Sequence, residues 1–143
     1  MDISSLIVGV WKLKSMSFQE TSSGHAVLPF GEAPEGLIVF TKGGHMMALG
    51  VEAGRMPPSS SEVTDNERSA LFRSMFAYGG EYCIDEGAAV TKVQISWNET
   101  WTGTKQIRFA EVVGNELHLK SAPFLSPQTG REVIGMATWE RIE

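Results

Sequence analysis

Short runs of alternating apolar and polar residues, glycine-marked turns between them and one interruption of helical spacing predict an all-β chain with a single helix. Eight runs qualify as strands: 10–18, 37–41, 45–51, 81–85, 90–97, 105–113, 116–121 and 133–142. Strands this short, mostly one turn apart, form an up-and-down antiparallel barrel or a sandwich. A length of 143 residues suits one domain, 1–143, with a sizeable core.

The first run carries Trp11, Leu13, Ser15 and Ser17 on one face. The second and third runs form a hairpin around Lys42-Gly43-Gly44, where glycine supplies the positive φ of a tight turn. Residues 53–61 are polar, proline-broken and without period, which marks an exposed loop. Thr64-Asp65-Asn66-Glu67 is a capping box: the hydroxyl accepts from the backbone three residues on, and Glu67 reaches back. Leu71, Phe72, Met75 and Phe76 follow as one apolar stripe, and Gly79-Gly80 ends the helix. A helix of about three turns therefore separates the third and fourth strands. With the loop before it, this helix is placed to cover one end of a barrel.

In a small barrel inward and outward side chains alternate, and eight strands enclose room for side chains or one small ligand. The alternation gives the inward sets Trp11/Leu13, Leu37/Val39, His45/Met47/Leu49/Val51, Tyr82/Ile84, Val93/Ile95/Trp97 and Leu117/Leu119. Such an interior is a pocket for an apolar or aromatic molecule, or a packed core; periodicity does not separate the two. In the run 105–113 either face, Gln106/Arg108/Ala110/Val112 or Lys105/Ile107/Phe109/Glu111, fits inside. An inward Arg108 needs a carboxylate such as Glu140 or an anionic or carbonyl-bearing ligand, because a buried unpaired guanidinium is costly.

The balance of 12 Lys and Arg against 17 Asp and Glu, net charge −5, argues against nucleic acid or an anionic membrane surface as partner. No apolar run reaches the ~20 residues of a transmembrane helix. The start, with no basic segment before an apolar one, shows no signal peptide, so a cytoplasmic location is expected. Cys83 is the only cysteine, which leaves no internal disulfide; it reads as a small apolar residue.

Several motifs in order resemble one family. Gly9-Val10-Trp11 is similar to the Gly-x-Trp signature of lipocalins, and Trp139-Glu140-Arg141 to their terminal segment. Between them stand Pro34-Glu35-Gly36-Leu37, Gly44-His45-Met46, Ala77-Tyr78-Gly79-Gly80-Glu81-Tyr82 and Trp101-x-Gly103-Thr104-x-Gln106-x-Arg108. Together with Thr138-Trp139-Glu140-Arg141 they resemble the short bacterial and fungal lipocalin-like domain proteins over nearly the whole chain. The resemblance implies an eight-stranded antiparallel up-and-down lipocalin-like barrel with one helix between the third and fourth strands. It also implies that Arg141 packs over Trp11 to close the base, and that Gln106 and Arg108 face the cavity. Some members lie among natural-product biosynthesis genes, and other lipocalin-like barrels cyclise or isomerise polyketide-type substrates. The chain departs from the pattern at Phe40, often tyrosine in the group, and at Thr91-Lys92, where a histidine-rich stretch is common.

Of the three histidines, His25, His45 and His118, only His45 falls on an expected inward face. Neither a metal-ligand spacing, nor a phosphate loop, nor a nucleophile elbow occurs, so no metal and no cofactor are expected. The candidate catalytic groups are His45 for proton transfer, Tyr82 as a donor and Arg108 to stabilise an enolate or carboxylate. Against these stand plainer roles: a core histidine on a backbone carbonyl, and a core tyrosine bonded at the barrel rim. The candidate ligand-binding residues are Trp11, Val39, Met47, Leu49, Tyr78, Trp97, Gln106 and Leu119. Two functions follow: binding of an apolar or aromatic small molecule of the secondary-metabolite kind, or a small cofactor-independent isomerase or cyclase acting on one. A homodimer stays open.

Overall fold

The computed structural model describes residues 2–126 and 129–143. A one-turn helix α1 (Ile3–Leu6) leads into β1 (Gly9–Glu20), β2 (Ala26–Val27), β3 (Glu35–Phe40) and β4 (His45–Val51). Helix α2 (Asp65–Arg73) then precedes β5 (Met75–Asp85), β6 (Ala88–Ser96), β7 (Lys105–Val113), β8 (Glu116–Ser121), β9 (Phe124–Leu125) and β10 (Glu132–Arg141). Sequential neighbours pair antiparallel from β3 to β8, and β8 pairs with β10. β1 pairs with both β3 and β10, which closes a barrel of eight antiparallel strands. The two-residue strands β2 and β9 attach at one end only, opposite Phe18 and Val133. That end is the mouth; the end holding α1 and the last residues is the base.

The base is solid. Ile7 and Trp11 are wholly buried there, and the Trp11 indole N–H donates to the Ile7 carbonyl at 2.9 Å. The Arg141 guanidinium lies 4.1 Å over the Trp11 ring and donates to the carbonyls of Val8 (2.9 Å) and Leu6. Gly9 makes this closure possible. Its φ is +142°, and a Cβ there would stand 2.3 Å from the Glu143 carbonyl oxygen and 2.5 Å from Arg141 Nη1. The first and last segments are thus sewn into one plug.

Two irregularities re-aim side chains. Between Leu13 and Ser15 β1 carries one residue more than β10, so the inward face switches from Trp11 and Leu13 to Met16 and Phe18. Ser15 and Ser17 do not continue the Trp11 face as the alternation predicts. On β6 an extra residue opposite Gly79-Gly80 flips the phase after Val93, leaving Ile95 78% exposed rather than inward. The close approach needs glycine, because a Cβ on Gly80 would stand 2.0 Å from the Lys92 carbonyl oxygen.

The expected phase of β3 and β4 is reversed. Ile38, Phe40, Met46 and Ala48 are the buried set, and Leu37, His45, Met47 and Leu49 are exposed, with Val39 half-buried on their face. Both faces of these strands are apolar, so alternation carries no phase; the cross-strand register Ile38↔Ala48↔Tyr78 fixes it.

Helix α2 has the expected capping box, with Glu67 N–H to Thr64 Oγ1 at 3.2 Å and Thr64 N–H to Glu67 Oε1 at 2.9 Å. It ends at Arg73, however, and not at Gly79-Gly80. Met75 and Phe76 already belong to β5, where pairing with Val51 and Gly50 satisfies their backbone and Phe76 and Tyr78 alternate inward. Cys83 is exposed on the outer face of β5, since Tyr82 and Ile84 take the inner one.

Candidate functional site

The mouth half of the barrel is hollow, with a cavity of 620 Å³. That lies within the roughly 300–1,000 Å³ usual for small-molecule pockets. Beyond its bulge β1 contributes Met16 and Phe18, and the floor is made by Ile38, Ala48, Leu119 and Trp139. Phe30 and Phe76 stand edge-on at 5.5 Å on one side. Tyr78, Trp101 and Trp97 form a continuous aromatic wall, with ring centroids 5.4 Å and 5.0 Å apart along the series. On the far side Pro123 and Phe124 lean over the opening, Phe124 meeting Phe18 at 5.3 Å. Burial of such rings contributes mainly apolar stabilisation, and edge-to-face pairs add about 0.5–1.5 kcal/mol each.

Into this apolar space β7 projects Gln106 and Arg108, the face implied by the family resemblance. A chain of hydrogen bonds positions them. Arg108 Nη2 donates to Gln106 Oε1 at 3.0 Å, and Gln106 Nε2 donates to Thr104 Oγ1 at 3.2 Å. Thr104 Oγ1 donates in turn to the Trp101 carbonyl at 2.6 Å, inside a turn that Gly103 permits with φ +87°. The sequence motif Trp101-x-Gly103-Thr104-x-Gln106-x-Arg108 is therefore a single device, a turn that braces a guanidinium. Glu140 is exposed on the outer face of β10 and does not serve as partner to Arg108. Among the described residues no carboxylate lies within ion-pair distance of Arg108.

Two further polar side chains belong to the wall. Tyr78 is buried, and burial pushes its hydroxyl above the ordinary tyrosine value while the Arg108 charge pulls it down. With burial the larger effect, it stays protonated at neutral pH and offers an O–H. Trp139 is 2% exposed, and its indole N–H has no acceptor among the described residues. A buried N–H left unpaired costs roughly 1–3 kcal/mol.

Of the expected site residues, Tyr78, Trp97, Gln106, Arg108 and Leu119 meet around the cavity. The others do not. Trp11 is walled into the base plug, and Val39, Met47 and Leu49 lie on the outside of β3 and β4 for the reason of phase given above. His45 is exposed at the base end of β4, on the outer face. Tyr82 packs edge-on against Phe40 at 5.0 Å and donates to the Thr41 carbonyl at 2.8 Å, which places it toward the base rather than at the cavity. Sequence reasoning missed Met16 and Phe18, whose signal was the adjacent polar pair Lys14-Ser15 that breaks the alternation. It also missed Trp139 and the Ala122–Leu125 segment as lining. The loop and helix expected to cover one end of the barrel, residues 53–61 and α2, do not line the cavity either. The α2 end is tied to the rim, with Trp97 Nε1 donating to the Phe72 carbonyl at 3.1 Å, and a smaller hollow of 370 Å³ lies between α2 and residues 52–58.

A family model for the lipocalin-like domain matches residues 8–142. The chain belongs to the lipocalin-like domain family. The closed eight-stranded barrel and the match together account for the Gly9-x-Trp11 start and the Trp139-x-Arg141 end as parts of one closure. Comparison with curated proteins gives no match. In this lipocalin-like barrel no helix among the described residues is long and apolar enough to cross a membrane.

Proposed function

We propose that the chain binds a small, largely apolar molecule in the mouth half of the barrel. The observation that carries this reading is the 620 Å³ cavity walled by Tyr78, Trp97, Trp101, Met16 and Phe18 while the base of the same barrel is filled. A lipocalin-like barrel is suited to such a ligand. Binding is favoured over catalysis because the described residues that line the cavity include no histidine and no carboxylate to shuttle a proton. The apolar walls also suit an aromatic or polyketide-like secondary metabolite as cargo.

The test uses dansyl-undecanoic acid, whose emission rises in an apolar site. Saturable uptake of one molecule per chain is expected, and Ala137→Phe, which fills the cavity from β10, should weaken it at least tenfold. Non-saturable emission, or equal uptake by the filled variant, would refute the reading.

A further inference from the structure

The cavity's polar chemistry is one-sided. In a chain of net charge −5, the charged side chains among its described lining residues are both cationic, Arg108 and Lys105. Arg108 uses two of its N–H groups on the Ile107 carbonyl (2.9 Å) and on Gln106, both uncharged, so its charge is solvated but not neutralised. The Tyr78 hydroxyl, on a lining side chain that feels the Arg108 charge, adds a donor. Ser121, the other hydroxyl in the lining, is already engaged: it donates to the Ala122 carbonyl and accepts from Gly135 N–H.

We infer that the ligand is an amphipathic organic anion, an apolar or aromatic body bearing one carboxylate, whose carboxylate is received by Arg108. This rests on the binding reading above and names the class of molecule bound. The physical reason is complementarity of the unpaired groups. A partly buried guanidinium without an acid is stabilised most by a carboxylate, which accepts two parallel N–H bonds, and such charge-assisted bonds are about twice as strong as neutral ones. An alcohol or hydrocarbon of the same shape would leave the guanidinium unmatched while gaining the same apolar burial. A cationic amphiphile would meet like charge.

The Gln106 brace serves the same end. By holding one edge of Arg108 it fixes the direction of the others, which lowers the entropy lost when a planar acid docks. Lysine at 108 would retain the charge and lose the fork.

The experiment compares dansyl-undecanoic acid with its methyl ester on the wild-type protein, with decanoate, decanol and decyltrimethylammonium as competitors. The acid is expected to bind at least tenfold tighter than the ester, and decanoate to compete better than decanol, with the ammonium weakest. Arg108→Gln should remove the preference for acid, bringing acid and ester to within about twofold of each other, and Arg108→Lys should restore only part of the preference. Equal binding of acid and ester by the wild type overturns the carboxylate inference and leaves the cavity reading standing. Binding of neither overturns both. The wild-type comparison decides the question even where an Arg108 variant folds poorly.

Discussion

At the base of this barrel the inward positions hold Trp11, Phe40, Met46 and Leu117, and α1 and Arg141 are drawn in over them. At the mouth β4 and β10 turn inward the small residues Ala48, Gly135 and Ala137, which line a 620 Å³ hollow. Strand number and closure are common to both ends, so the fold by itself makes neither a core nor a pocket. Side-chain volume at a few inward positions does, together with the β1 bulge that swaps the inward face halfway up. The base spends its polar groups on itself: the Trp11 N–H and the Arg141 guanidinium are bonded to backbone carbonyls. The mouth leaves the Trp139 N–H and the Arg108 charge unmatched.

The contrast is broken most severely at the base. Trp11→Ala removes a wholly buried indole and should cost about 3–5 kcal/mol, read as a lowered denaturation midpoint with unchanged m-value. Arg141→Ala loses the ring contact and three charged hydrogen bonds to carbonyls, those of Val8, Glu143 and Leu6. It should cost about 2–3 kcal/mol by the same titration. At the mouth the expectation is opposite in kind. Ala137→Phe should change stability by less than ~1.5 kcal/mol, because it fills space already empty, yet weaken probe uptake at least tenfold. A large loss of stability there would mean that the mouth is packed like the base.

A smaller effect separates α2 from both ends. The Glu67 carboxyl is held down to about 2, chiefly by the backbone N–H of Thr64 and then by that of Ser59. A depressed acid stabilises the fold at pH values above its ordinary 4.5 and loses that contribution as pH falls toward about 2. Emission of Trp97, which touches Phe72 at the helix end, should therefore shift across that window, and Glu67→Gln should flatten the shift. His45→Ala, on the exposed outer face, should alter stability by less than ~0.5 kcal/mol and leave probe binding unchanged.

How much of this is legible in the sequence depends on which residues are asked. The closure came through the lipocalin-like motifs at Gly9-Val10-Trp11 and Trp139-Glu140-Arg141, and the structure supplies its physical reasons: close approach at Gly9, burial of Trp11 and the cation–π contact of Arg141. The inward Gln106 and Arg108 came through the family motif, since β7 alternation alone admits both faces. The phase of β3 and β4 was hidden because Leu37-Ile38-Val39-Phe40 and Met46-Met47-Ala48-Leu49 are apolar on both sides. Non-local pairing decides which side goes in, and no local pattern records it. The same blindness put Met75 and Phe76 on a helix: their spacing fits 3.6 and 2 alike, and only pairing with β4 resolves it.

The four tryptophans sort themselves between the two ends, Trp11 in the plug and Trp97, Trp101 and Trp139 around the hollow. Proton–nitrogen correlation spectra resolve their indole N–H signals one by one during titration with dansyl-undecanoic acid. The account predicts saturable shifts at Trp97, Trp101 and Trp139, with Trp11 unmoved. A shift at Trp11 equal to the others, or a titration that moves none of the three cavity indoles, would contradict it.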